Sequence, residues 1–242
     1  ETIIETVVVE KEVEVIVEKE VVVEVGALPE AETVVRAEGY NDVPTLDPSL
    51  SQDTSSITMG SNMFVGLTVL DEVNGEVQAG MATDWEVSDD GLVYTFNLRD
   101  DVPWVKFNNA SGEVEQVLDD EGNPRIVNCN DFLYGIRRTL DPAVGSPYAY
   151  VNWVVENAGA INGENGEDDP LFGQIEEVGV ECLDDFTLQY TLREPASFFA
   201  SIASMWMNWA EPQWLIEEMG DRWIEGGIIQ TYGPYALFDW TH

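Results

Sequence analysis

The chain has 242 residues, and its 44% hydrophobic content with eight Trp, eight Tyr and nine Phe supplies a core that a disordered acidic tail would lack. Its 47 acidic against 10 basic residues give a formal charge of -37, which repels a phosphate backbone or an anionic membrane and excludes nucleic acid and direct lipid binding. The only histidine is His242, which leaves no material for a His-based dyad or a multi-His metal site, and no run of about 18 apolar residues is present to span a membrane.

Residues 1–28 read as a Val/Glu-rich stalk or linker. Within it Val9-Glu10-Lys11-Glu12-Val13 recurs eight positions later as Val17-Glu18-Lys19-Glu20-Val21, an alternation that suits a strand-prone or unstructured segment rather than a coiled coil. Glu1 in place of Met leaves room for a processed segment upstream. Beyond Gly26 and Pro29 the texture becomes globular. Thr33-Val34-Val35-Arg36 reads as a short strand, and Thr68-Val69-Leu70 runs into an Asn74-Gly75 hairpin signal. Val93 to Leu98 alternates after the Asp89-Asp90-Gly91 turn, and a second hairpin is expected over Glu113 to Val127, folded at Asp119 to Pro124.

A helix follows, with Asn130 or Asp131 as its expected N-cap and Phe132, Leu133, Ile136 and Leu140 on one face; Pro142 stops it. Glu181 to Leu192 is a strand pair turning at Asp184-Asp185. Pro195 is expected to open a helix through Phe198, Phe199, Ile202 and Ala203, and Pro212 another through Trp214, Leu215 and Met219. Cys129 and Cys182 show no framework or CxxC spacing and read as small core residues rather than a bridge. Arg137 and Arg138, adjacent on an amphipathic helix, read as a solvated face paired with nearby acids. Asp119-Asp120-Glu121 with Asn123, and Glu164 with Glu167 to Asp169, lack the calcium-loop frame and read as turn chemistry, so no metal and no cofactor is expected.

Several short pieces recur in a recognisable order: Leu46-Asp47-Pro48; Met81 to Ser88 with Tyr94 to Arg99; Asp131 to Tyr134 with Arg137 to Pro142 and Ser146-Pro147-Tyr148; Asp184 to Leu188 with Leu192 to Pro195; and Thr231 to Tyr235 with Trp240. In that order they resemble the family-5 extracellular solute-binding proteins, the oligopeptide and dipeptide receptors of ABC importers. The resemblance implies an α/β, periplasmic-binding-protein-like two-lobed fold (class II, type C) that closes on an extended peptide. Residues 29–64 and 179–242 would form the core of lobe one and 65–178 an inserted subdomain, with lobe two lying beyond the sequence. By position, Gln52, Asp53 and Thr54 match a strand-like segment running along the ligand backbone, and Tyr148 and Tyr235 match positions whose phenols face the cleft. Trp206 and Trp209 lie where family chains approach that cleft.

The function implied is capture of oligopeptides or dipeptides outside the cytoplasm and delivery to membrane permease subunits, by a monomeric, non-enzymatic protein, lipid-anchored in some arrangements. Because closure needs two lobes, the 242 residues alone are expected to bind peptide weakly. Three other readings stay open: a receptor of the same family for another small solute, a carboxylate-dependent glycoside hydrolase drawing on the many acids, and a surface adhesion protein built on the stalk.

Overall fold

A computed structural model describes residues 42–240; the Val/Glu stalk and the Thr33 to Arg36 strand lie outside the described residues. The described chain begins with a 3-10 turn at Pro48–Leu50, capped by Asp47, whose carboxylate accepts from Ser49 N at 3.0 Å. Helix α1 (Thr54–Met63) is capped in the same way by Asp53, which accepts from Ser56 N. Strands β1 (Thr68–Leu70) and β2 (Val77–Ala79) make the expected antiparallel hairpin, with Gly75 at φ 72° in its turn.

Strands β3 (Ala82–Val87) and β4 (Val93–Leu98) follow, and then β5 (Val105–Asn108) and β6 (Glu113–Gln116). The hairpin expected over Glu113 to Val127 is corrected here. Strand β6 pairs backward with β5, Phe107 opposite Val114, and the turn from Asp119 to Pro124 closes only on a Leu118–Pro124 bridge. The flanking bonds Asp119 N to Asn123 O and Arg125 N to Val117 O are made, but the ladder goes no further because Trp104 comes between, its N–H donating to Arg125 O and its carbonyl accepting from Val117 N. The acidic turns behave as read: Asp119 Oδ1 accepts from Glu121 N and Asn123 N, and Asp169 Oδ1 from Leu171 N.

Helix α2 (Cys129–Leu140) is followed by α3 (Ala158–Asn162), strands β7 (Val180–Asp184) and β8 (Thr187–Thr191), and helices α4 (Phe199–Ile202) and α5 (Gln213–Met219). The cap of α2 is Asn128, not Asn130 or Asp131. Asn128 Oδ1 accepts from Asn130 N at 2.8 Å and Asp131 Oδ2 accepts from Asn128 N at 3.0 Å, a capping box that starts the helix a full turn before its apolar stripe. Asn128→Ala is expected to cost about 1 kcal/mol and lower Tm by about 2–4 °C; an unchanged melting curve would assign the helix start to other contacts. Helix α4 is a single turn rather than the longer helix expected from Pro195, because Phe199 N first closes a turn on Ala196 O at 2.9 Å.

The central element is an antiparallel sheet in the order β3-β4-β8-β7. Alternation in β4 and β8 sends Tyr94, Phe96, Leu188 and Tyr190 to one buried face, as the Val93 to Leu98 pattern predicts. Phe199 packs on that face, 5.0 Å from both Tyr94 and Tyr190. Phe132, Ile136 and Leu140 of α2 are fully buried in the same core. Cys129 and Cys182 form a disulfide, which overturns the reading of two free core thiols. The start of α2 docks on the β7–β8 turn through Cys129 N donating to Asp185 O, and this brings the two Cα atoms within 5.8 Å.

Candidate functional site

Two segments, each with one short 3-10 turn (Pro48–Leu50 and Trp206–Asn208), meet over α2. One runs from Asp47 to Asp53, the other from Ser204 to Glu211. Helix α2 admits them because Gly135 faces the Trp209 carbonyl so closely that a Cβ there would overlap it. The segments are pinned together at Trp206, whose Nε1 donates to Ser51 O at 2.9 Å. The same indole meets the Tyr148 ring edge-on at 5.0 Å, and Tyr148 stacks on the exposed Tyr150 at 5.9 Å. The structure thus brings Trp206 and Tyr148 together beside the Ser51 backbone.

Gln52, Asp53 and Thr54 continue from that point and line a shallow recess of about 410 Å³ with Asp42 and Pro44. Asp53 is extended (φ -111°, ψ 156°), but Thr54 already opens α1, so the extended stretch is one residue shorter than the strand-like segment expected. Trp209 stacks on Phe64 at 5.8 Å and is 5% exposed, a core position at the floor of the site. Tyr235 is 59% exposed, and its N–H donates to Asn62 O at the end of α1. It follows Pro234, which lines the groove beside Trp206.

Pro234, Trp206 and Trp209 share the wall of a groove of about 910 Å³ running between α1 and α4. Ile57, Leu70, Phe198 and Met205 make most of its remaining surface apolar, and Glu72 is the only acid that lines it. A pair of facing carboxylates, which glycoside hydrolysis requires, is therefore not found in this groove. Among the described residues there is no cluster of three or more His, Cys, Asp or Glu able to hold a metal ion.

Beneath the two segments lies a buried charge cluster that sequence reasoning missed. Arg138 forks onto Asp47, Nη1 to Oδ1 at 2.7 Å and Nη2 to Oδ2 at 2.6 Å, and Nη1 also donates to Glu211 Oε2 at 2.9 Å. Trp223 Nε1 donates to Asp47 Oδ2 as well. Arg137 pairs with the exposed Glu176 as expected but is itself half-buried, and Arg138 is not solvated at all. Burial tends to neutralise Arg138, yet the charges of Glu211 and Asp47 outweigh it and hold the guanidinium above its ordinary range. Burial pushes Glu211 up to about 7 against the pull of Arg138, and the nearby charge of Asp47 adds to the rise. A signal was available: Gly135 and Thr139 are small residues that widen the buried arc of α2 past its apolar stripe as far as Asp131, and Arg138 lies on the same side one turn beyond Gly135.

Comparison with known proteins defines the class. The family model described as bacterial extracellular solute-binding proteins, family 5 Middle, matches residues 76–242. The periplasmic oligopeptide-binding protein OppA of Escherichia coli (strain K12) is 33% identical over 88% of this chain and 35% of its own length. The probable deoxycholate-binding periplasmic protein YgiS of the same organism is 28% identical over 86% of the chain and 35% of its length. Among solved structures, the substrate-binding domain of an oligopeptide ABC transporter from Bacillus anthracis superposes with a TM-score of 0.69 at 28% identity, covering 83% of this chain and 34% of that one. The fold is that of a binding protein. The chain belongs to the family-5 bacterial extracellular solute-binding proteins and spans about a third of the length of the curated relatives it matches.

Proposed function

We propose that this chain is part of an extracytoplasmic receptor that captures peptides and hands them to the permease of an ABC importer, without catalysis. The observation that carries the reading is the junction of Trp206, Tyr148 and the Ser51–Asp53 backbone. Ser51 N–H, Ser51 C=O and Asp53 C=O are already engaged by Asp47 O, Trp206 Nε1 and Ile57 N, which leaves the Gln52 amide and carbonyl and the Asp53 N–H to pair with any peptide backbone. An aromatic wall with an apolar groove accepts varied side chains. The names of the relatives, with both oligopeptide receptors and a deoxycholate-binding protein among them, support a solute receptor and make the solute the open variable. The disulfide supports an oxidising compartment outside the cytoplasm, and among the described residues no helix is long and apolar enough to cross a membrane. In this reading Gln52, Asp53, Thr54, Tyr148 and Trp206 touch ligand, Tyr235 lies at the margin, and Trp209 supports the floor. The division into 29–64 with 179–242 and an inserted 65–178 is part of the proposal. Across this division β4, from the inserted stretch, pairs with β8, from the core stretch.

The test is an NMR titration of the 242-residue chain with apolar tri- to pentapeptides. Shifts are expected in the Trp206 indole and the Gln52 and Asp53 amides, with Kd on the order of 1 mM. Trp206→Ala is expected to weaken that binding at least about tenfold. Silence with peptides together with shifts on adding a bile acid or a sugar would reassign the solute.

A further inference from the structure

The cluster under the site contains one more contact than its hydroxyl protons can fill. Glu211 Oε1 lies 2.6 Å from Ser49 Oγ, Ser49 Oγ lies 2.9 Å from Thr139 Oγ1, and Thr139 Oγ1 lies 3.0 Å from the Met207 carbonyl oxygen. These are three oxygen–oxygen contacts at hydrogen-bond distance, and each needs one hydrogen. Ser49 and Thr139 supply two, and the Met207 carbonyl supplies none. With Glu211 ionised, Ser49 donates to it and Thr139 can serve only one of its two neighbours. Either two hydroxyl oxygens face each other without a hydrogen, or the Met207 carbonyl goes without its donor, in a site where Ser49, Thr139 and Glu211 are all about 1% exposed or less. With a proton on Glu211 Oε1 the chain closes: Glu211 donates to Ser49, Ser49 to Thr139, and Thr139 to Met207 O. Charge gives the same answer, since one guanidinium between two buried carboxylates leaves a surplus negative charge that a single proton removes.

We propose that Glu211 carries this proton and acts as a positioning residue for the ligand site, a proton-loaded latch that holds the Ser51 and Trp206 segments down on α2. Asp47 and Ser49 face it from the first segment, and Arg138, Thr139 and Asp131 from α2, the last accepting from Glu211 N through its carbonyl and carrying a carboxyl that burial raises to about 6; the Tyr134 and Tyr232 phenols also feel the charge of Glu211. Losing the proton above neutrality leaves Ser49 donating to Glu211 and takes the hydrogen from either Ser49–Thr139 or Thr139–Met207 O, the two contacts that join the segments to α2. The upward shift of Glu211 agrees with this geometry. The latch does not depend on what the solute is; its effect on peptide capture rests on the function proposed above.

The test combines carboxyl ¹³C NMR of Glu-labelled protein with thermal unfolding of the 242-residue chain and its Glu211→Gln and Thr139→Val variants. Gln keeps a donor toward Ser49 and an acceptor toward Arg138 at every pH. One Glu signal is expected to titrate near neutrality, to be absent in Glu211→Gln, and to move down in Thr139→Val, where the relay loses its last link. Glu211 holds its proton more tightly folded than unfolded, so the stability it adds is complete below its unfolded value and is lost as pH rises through the folded one. From pH 6 to 7.5 the wild-type Tm is expected to fall by about 4 °C, and that of Glu211→Gln by about 1 °C or less. The absence of any Glu titrating above about pH 6, or an unaltered slope in Glu211→Gln, overturns the latch. A titrating Glu211 in a protein that binds no peptide keeps the latch and overturns the peptide reading.

Discussion

Arg138→Met is expected to be the most damaging single substitution in the described chain, costing about 3–5 kcal/mol because it strands a buried charge. The Asp47 side chain is 5% exposed and that of Glu211 1%, so neither recovers hydration when its partner leaves. Asp47 would keep the Ser49 N–H and the Trp223 indole, two neutral donors in place of a bidentate guanidinium. A domain with a stability of about 5–15 kcal/mol loses a large share of it in this way. Urea denaturation measures the effect, and a loss under about 1 kcal/mol would show the cluster to be hydrated. The double variant Asp47→Asn/Arg138→Met should recover much of the loss, since the cost lies in the unpaired charge rather than in the missing contact.

Reduction of the Cys129–Cys182 disulfide, or its replacement by two serines, is the second large effect. The bridge closes a loop of 53 residues, for which the chain-entropy relation gives about 4 kcal/mol and a fall in Tm of about 10 °C. Calorimetry with and without reductant reads it directly. A difference below about 2 °C would mean that the capping box of Asn128 and Asp131 and the Cys129–Asp185 hydrogen bond already hold α2 on the sheet.

Both effects sit at places the sequence left dark, for a common reason. Local periodicity made β4, β8, α2 and α5 legible, because each carries its own alternation or stripe and ends at a turn or proline. The ordered set of motifs from Leu46-Asp47-Pro48 to Thr231–Tyr235, none of them specific alone, was enough to place the family. The partnership of Asp47 with Arg138 spans 91 positions and that of Ser49 with Glu211 spans 162, so no local pattern announces either. A lone pair of cysteines has no spacing rule that separates a bridge from two core thiols, and only the docking of α2 on the β7–β8 turn decides. Strand β5 was missed because Pro103 and Trp104 mask its start, and its partner β6 was therefore given the wrong neighbour. The aromatic junction was half legible: Trp206 was singled out, but the carbonyl of Ser51 that receives its N–H has no signature.

The order of strands in the central sheet also sets a timetable for the chain as it is made. Strand β4 lies between β3, its immediate predecessor, and β8, so that Thr95 bonds to Gln189 across 94 positions. A nascent polypeptide can form the β3–β4 hairpin early, but the free edge of β4 waits for β8 and the Tyr94 and Phe96 face stays uncovered until Phe199 has left the ribosome. Pairing so distant in sequence is slow and leaves an unfilled edge open to the wrong partners meanwhile. The dense negative charge that says little about ligand then gains a use of its own, as mutual repulsion keeps such half-made chains apart.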